Sequence, residues 1–329
     1  MYRTFYAIRN KPFELTPTSE LVYMSDAHQE ALATLRYGII SNKGFVMLTG
    51  GIGTGKTTLV NSLLKMLKTK VRVCYLNNPT LNRREFLHYV AKKLNLQYSG
   101  NKSDFILKFS RLLEKVHQRK EKILIIIDEA QVVPLDLMEE VRLLSNQAGA
   151  RNVLSIFLIG QPELQETLAH PRLRPLRQRI GIKYHLKELE REDTAHYIAY
   201  RLNEAGAANP ALFTDQAIDC IHQASSGNPR LINIICDHAL ISGFAKGINH
   251  IDRDIIEECL QDIKLPGETS LTISGEAGEA VDNSVGVGGT RSNHSRYLPV
   301  LLILLTLTIA GAGFYFLGWI EPGLDLITR

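Results

Sequence analysis

Short apolar runs alternate with helically spaced segments along the first 186 residues. Gly44 to Thr49, Val71 to Leu76, Lys122 to Asp128, Val153 to Ile159 and Ile180 to Leu186 each have the length of a strand. The run Ile123 to Ile127 is apolar at every position, which predicts a strand buried on both faces of a parallel sheet. Between the runs, Ala31, Leu32, Leu35 and Ile39 recur at helical spacing after a start signal at Ser25-Asp26 with Gln29. Leu59, Leu63, Leu64 and Leu67 do the same within Thr57 to Leu67, and further helices are predicted over Glu85 to Leu94 and Asp104 to His117. Strands alternating with helices predict an α/β sheet covered on both faces. After Leu186 the strand signal fades. Arg191 to Ala205, Thr214 to Ser225, Pro229 to Phe244 and Arg253 to Ile263 read as four helices of a small all-helical domain.

The sharpest local signal is Gly50-Gly-Ile-Gly-Thr-Gly-Lys-Thr57, which fits G-x-x-x-x-G-K-[ST] between a predicted strand and a predicted helix. Glycines let backbone N–H groups turn inward around phosphate oxygens. Lys56 can reach the β- and γ-phosphates, and the Thr57 hydroxyl can ligate Mg²⁺. Gly50, Gly51, Ile52, Gly53, Thr54, Gly55, Lys56, Thr57 and Thr58 are thus the candidate nucleotide-binding residues. A dinucleotide fingerprint has no use for Lys56-Thr57. The second signal is Asp128-Glu129 at the end of an apolar strand. Asp128 is placed to hold Mg²⁺, and Glu129 to polarise a water for attack on the γ-phosphate. Adjacent Asp-Glu favours hydrolysis over transfer to a small molecule.

Three weaker signals follow. Gln161, at the end of the next strand, can reach the γ-phosphate or the attacking water, or can serve only as a turn amide. Arg172, Arg174, Arg177 and Arg179 crowd into eight residues. Arg177 or Arg179 is the candidate to reach a neighbouring subunit's γ-phosphate, with nucleic-acid phosphate as the rival use. Gly227-Asn-Pro-Arg230 opens a helix with Asn228 as N-cap and Pro229 in the first turn. A cation at Arg230 opposes the helix dipole, which calls for an anionic partner: the nucleotide, or a salt bridge within the domain.

Composition changes this picture only at the far end. Hydrophobic residues make up 45% and charged residues 22%, as in an ordinary folded protein, and the net charge of +4 does not by itself argue for nucleic acid. Cys74, Cys220, Cys236 and Cys259 show no C-x-x-C or metal spacing and read as buried reduced thiols. No N-terminal signal peptide is visible. Pro266 to Ser295 turns to Gly, Ser, Thr, Asn and Glu and reads as a flexible linker. Tyr297 to Ile320 carries no charge and exceeds the roughly 20 residues needed to cross a bilayer. Arg291 and Arg296 before it predict a cytoplasmic N-terminal side. The expected divisions are 1–186 α/β, 187–265 helical lid, 266–296 linker, 297–320 transmembrane helix and 321–329 a short extracytoplasmic tail.

Together these pieces resemble the AAA+ ATPases, and more closely the bacterial general secretion pathway protein A family, which includes the ATPase of mannose-sensitive pilus biogenesis. The resemblance rests on Phe5-Tyr6, Lys11-Pro12-Phe13, Leu15-Thr16-Pro17, His28-Gln-Glu-Ala-Leu32, Tyr37-Gly38-Ile39, Asp128-Glu-Ala-Gln131, Leu158-Ile-Gly-Gln-Pro-Glu-Leu164, Leu176-Arg-Gln-Arg-Ile180 and Gly227-Asn-Pro-Arg230. It covers residues 1 to 264 and implies a P-loop NTPase sheet, a helical lid, and ATP with Mg²⁺. It implies Walker A at Gly50 to Thr58, Walker B at Asp128-Glu129, sensor 1 at Gln161, an arginine finger at Arg177 or Arg179, and sensor 2 at Arg230. The segment around His28 would lie beside the adenine. Sensor 1 is often Asn, Thr or Ser in AAA+ proteins, so Gln161 departs from that pattern. Longer family members carry a peptidoglycan-binding region beyond the span, and shorter pilus-type members lack the span. The resemblance implies a homo-oligomeric, inner-membrane-anchored ATPase with a cytoplasmic catalytic domain, supporting assembly of a secretion, pilus or exopolysaccharide-export complex. Two rival readings are a DNA-associated AAA+ regulator, which the span disfavours, and a slow nucleotide-switched scaffold.

Overall fold

The structure is a computed structural model that describes residues 1–14, 22–41, 44–67, 70–77 and 79–263. The expected linker, transmembrane helix and tail lie outside the described residues. Among the described residues no helix is long and apolar enough to cross a membrane.

The described elements run α1 (Tyr2–Phe5), α2 (Asp26–Ile40), β1 (Phe45–Gly50), α3 (Lys56–Met66), β2 (Val71–Leu76), α4 (Arg83–Lys93), α5 (Lys102–Gln118) and β3 (Lys122–Ile127). They continue with α6 (Leu135–Asn146), β4 (Leu154–Gly160), α7 (Glu163–Ala169), α8 (Arg174–Arg177) and β5 (Ile180–Leu186). Helices α9 (Arg191–Glu204), α10 (Asp215–Ser225), α11 (Pro229–Ala245) and α12 (Arg253–Ile263) complete them. The five strands form one sheet in the order β2-β3-β4-β1-β5, and every neighbouring pair is parallel.

Alternation along each strand explains the unbroken apolar runs. Phe45, Ile123, Ile125, Ile127, Ile156 and Leu158 face a core shared with α4, α5 and α6. Val46, Leu48, Leu124, Ile126, Phe157 and Ile159 face the opposite core, shared with α2 and α3. Successive side chains point to opposite faces, so a central strand must be apolar at every position. Phe105 and Phe109 of α5 stack at 5.6 Å with their planes 12° apart, one turn apart on the buried stripe. The cost of opening this double core resides in side chains such as Phe109, Leu113 and Phe157, which are fully buried.

A third core lies among α9, α10, α11 and α12. The N-terminal segment belongs to it, because Tyr6, Ile8 and Phe13 are buried there. The sequence reading had placed those residues with the α/β part. Arg9 and Asn10 donate their backbone N–H groups to Ala205 O, at 3.0 and 2.9 Å, and fasten the segment to the end of α9. Helices α6 and α7 were not singled out from the sequence either. Leu137, Met138, Val141 and Leu144 are buried, yet the exposed Leu143 blurs the contrast between faces with an apolar residue outside the stripe.

Register places the chemistry on one edge. Thr49 of β1 pairs with Gly160 of β4, and Ile127 of β3 pairs with Leu158 of the same strand. The carboxyl ends of β1, β4 and β3 therefore stand side by side, where open parallel sheets hold ligands.

Candidate nucleotide site

The loop between β1 and α3 opens this edge. Gly55 sits in the left-handed region as N-cap of α3 and provides no side-chain cap. The first-turn N–H groups of α3 are consequently left without a side-chain acceptor, which makes the helix start a place for an anion. Lys56 is buried beneath the loop, and its Nζ donates to Gly50 O at 2.9 Å and Gly51 O at 2.8 Å. Burial pushes the ammonium's pKa down, and the carboxylates of Glu129, Asp128, Glu163 and Glu188 oppose that shift.

Asp128 follows β3 and is nearly buried. Its Oδ2 accepts from Thr57 Oγ1 at 3.2 Å and from the Tyr75 hydroxyl at 2.7 Å, while Oδ1 accepts from Glu129 N at 3.0 Å. Burial, together with the hydrogen bond to Asp128, pushes the Tyr75 phenol's pKa up, so it remains a donor. Glu129 stands at φ 51°, a backbone conformation rare for a side chain of its size. Its Oε2 accepts from Gln131 Nε2 at 2.7 Å and from Gln161 Nε2 at 3.4 Å. Gln131 Oε1 in turn accepts from Gln161 N at 3.1 Å. Gln161 thus reaches Glu129, and Gln131 holds it there. The sequence reading gave Gln131 no role, because nothing in its spacing marks a residue four places past a strand end.

The helical layer closes the loop from above. Asn228 accepts from Arg230 N at 3.0 Å and Leu231 N at 3.4 Å as N-cap of α11, and its Nδ2 donates to Ile52 O at 2.6 Å. Arg230 makes no ion pair among the described residues and lines the cavity over the loop. Among the described residues, the salt bridge within the domain that the sequence also allows does not form.

That cavity measures about 590 Å³ and is lined by Ile52 to Thr58, Glu129, Gln161 and Arg230 at one end. At the other end stand Tyr23, Leu189, Tyr197 and Tyr200, with Val22, Arg201 and Glu204, while His28 lines the cavity beside the loop. Tyr23 lies 5.6 Å from Tyr197 and 5.7 Å from Tyr200 between ring centroids. Sequence reasoning missed this aromatic end, although Tyr197, Tyr200 and Arg201 at i, i+3 and i+4 do share one face of α9. Gly50, Gly51 and Asp128 stand behind the lining and act on it through Lys56 and Thr57.

Arg177 and Arg179 are exposed and lie outside the cavity. Arg179 hydrogen-bonds Ser145 at 3.1 Å and also Asn146, at the end of α6. Arg172 pairs with Asp136 at 2.6 Å. Arg177 has no side-chain partner among the described residues.

The fold agrees with the comparisons to known proteins. The AAA domain family matches residues 39–168. Over 255 residues the chain is 42% identical to general secretion pathway protein A of Aeromonas hydrophila, an overlap of 76% of this chain and 46% of that protein. The chain therefore spans about half the length of that relative. Among solved structures, Cdc6p of Pyrobaculum aerophilum aligns with a TM-score of 0.58 at 17% identity, covering 78% of this chain and 72% of that one. A chain of Drosophila ORC bound to DNA gives 0.57 at 16% identity, covering 80% and 65%. At such identities the likeness is one of fold. The molecule has the α/β P-loop fold of the AAA+ class. Within that class it belongs to the AAA+ ATPases of the general secretion pathway protein A family.

His28 ties α2 to the loop. Its Nε2 lies 3.1 Å from Thr54 O, a group that only accepts, so Nε2 carries the proton and Nδ1 accepts from Ser25 Oγ at 2.7 Å. Burial lowers the imidazole pKa, against the opposing pull of Thr54 O and Asp193. The unfolded chain therefore takes up the proton first. Stability from this group is full above the ordinary value of 6.5 and is lost as pH falls through the folded value below it. His28→Gln keeps a donor for Thr54 O and is expected to flatten the decline of Tm between pH ~7 and ~5. Identical slopes in wild type and variant contradict the assignment.

Proposed function

We propose that the chain binds ATP in the cavity between the sheet edge and the helical layer and hydrolyses it with Mg²⁺. The observation that carries this reading is the convergence of Lys56, Glu129, Gln161 and Arg230 on one cavity whose far end is aromatic. The aromatic end suits the flat base, and the loop end suits the phosphates. Lys56 would exchange the carbonyls of Gly50 and Gly51 for phosphate oxygens. Thr57 Oγ1 and Asp128 Oδ2 are hard oxygen donors 3.2 Å apart and fit Mg²⁺, which keeps waters and takes few protein ligands. The metal's contribution is neutralisation of phosphate charge. Glu129 would accept a proton from the attacking water, with Gln131 and Gln161 fixing its carboxylate until nucleotide contacts Gln161. Arg230 supplies a cation from the helical layer.

Arg177 and Arg179 are exposed and lie outside their own cavity, which fits donation to a neighbouring subunit in a homo-oligomer with shared sites. The biological reading follows the relative: ATP turnover would support assembly of an envelope secretion complex, with pilus and exopolysaccharide-export complexes as variants of that task. The apolar segment 297–320 would anchor the chain in the inner membrane as a single span, with the catalytic part in the cytoplasm.

Lys56→Ala is expected to weaken nucleotide binding at least ~10-fold, measured with a fluorescent ATP analogue. Glu129→Gln is expected to keep affinity within ~3-fold and lower kcat ~10²–10⁴-fold. Equal loss of binding in both variants contradicts these roles. Turnover per subunit is expected to rise with protein concentration, and Arg177→Ala or Arg179→Ala to lower it ~10³-fold or more at saturating nucleotide. Concentration-independent turnover, or full activity in both arginine variants, contradicts the shared site.

A further inference from the structure

Charge is unevenly distributed along the chain. Between Arg83 and Lys122 there are eleven Lys and Arg against four Asp and Glu, while the whole chain has 38 against 34. Everything outside that stretch is therefore net acidic. The basic stretch forms α4, α5 and their connector, on the face of the sheet away from α2 and α3.

A groove of about 410 Å³ lies there, apart from the nucleotide cavity, lined by Leu81, Arg84, His88, Tyr89, Lys92 and Tyr98. Arg84, His88 and Lys92 stand at i, i+4 and i+8 of α4, so they line one edge of the groove and are exposed. Neither Arg84 nor Lys92 makes an ion pair or a side-chain hydrogen bond among the described residues. Glu85 also borders the groove, but its carboxylate accepts from Asn82 N at 2.9 Å as half of the capping box of α4.

The walls are apolar and fixed in place. Tyr89 OH donates to Tyr75 O at 2.6 Å, and Tyr98 packs edge-on against Phe105 at 5.6 Å. Lys93 lies over the Tyr89 ring at 5.5 Å, and His88 leans on Tyr98 at 6.2 Å. Both rings are thus held by neighbours, and they form the apolar walls of the groove. What remains is an apolar trough with one unpaired cation toward each end. Eight residues of helix separate those cations by ~12 Å along the axis. An extended peptide covers that distance in about four residues.

We propose that this groove docks an acidic, extended protein segment in which two carboxylates about four residues apart flank an aromatic or aliphatic side chain. Arg84 grips one carboxylate through its guanidinium fork and Lys92 the other, while the apolar side chain fills the trough between Tyr89 and Tyr98.

The test is fluorescence anisotropy on the full chain with three labelled probes of similar charge: a random glutamate–tyrosine copolymer, polyglutamate, and a thymidylate oligonucleotide. The copolymer is expected to bind roughly tenfold tighter than polyglutamate, because only it fills the trough. Arg84→Gln/Lys92→Gln is expected to weaken the copolymer roughly tenfold or more. Arg111→Gln/Lys115→Gln removes the same charge from α5 and is expected to change affinity by less than about twofold. Basal ATP turnover and Tm stay at wild-type values in both double variants. Three results overturn the proposal. One is copolymer binding that the Arg84/Lys92 change leaves intact, or no copolymer binding at all. The second is equal affinity for copolymer and polyglutamate. The third is tighter binding of the oligonucleotide through the same two side chains, which assigns the groove to nucleic acid.

Discussion

A methyl group at Gly53 would lie 2.6 Å from Arg230 Cβ and 2.7 Å from Asn228 Oδ1, and the residue holds φ +83°. Loop conformation and placement of the helical layer are therefore a single constraint. Asn228 expresses it most compactly, since one amide caps α11 with its oxygen and grips Ile52 O with its nitrogen. Gly227 repeats the theme one residue earlier. Its carbonyl accepts from Leu189 N at 2.9 Å, and a methyl group on it would fall 1.9 Å from Leu189 O. Any change in the loop that moved Ile52 would be felt at the start of α11 and in the segment that leads into α9.

Polar groups at the site are held before anything binds. Asp128 is fixed by Thr57 from the loop and Tyr75 from β2, and Glu129 by Gln131 and Gln161. Lys56 spends its charge on two carbonyls of its own loop. Carboxylates fixed like those of Asp128 and Glu129 need little rearrangement when charge develops, which is where electrostatic catalysis gains most. Tyr75 also extends the network outward, because its carbonyl accepts from Tyr89 in the wall of the α4 groove.

Much of this was legible in sequence because it obeys local rules. The strands carrying the site are mostly apolar and bounded, and the glycine loop has a spacing that chemistry demands. Gly227 to Arg230 announces its own helix start. Features that escaped depend on partners distant in sequence. Tyr197 and Tyr200 share a helix face, yet only folding brings Tyr23 against them. Gln131 becomes a clamp because β4 lies beside β3 and delivers Gln161. Tyr6, Ile8 and Phe13 are too few and too irregular to show a period, so their burial among α9 to α12 could not be read locally. The sequence marks Arg230 as needing an anion, but that no acidic side chain among the described residues pairs with it is a tertiary fact.

The central claim is that nucleotide is held jointly by the loop and the helical layer. Hydrogen exchange of the full chain with and without a non-hydrolysable ATP analogue and Mg²⁺ tests it most directly. The account predicts that added nucleotide slows exchange together in residues 51–58 and in residues 228–233. Protection confined to 51–58, with 228–233 exchanging as before, would contradict it.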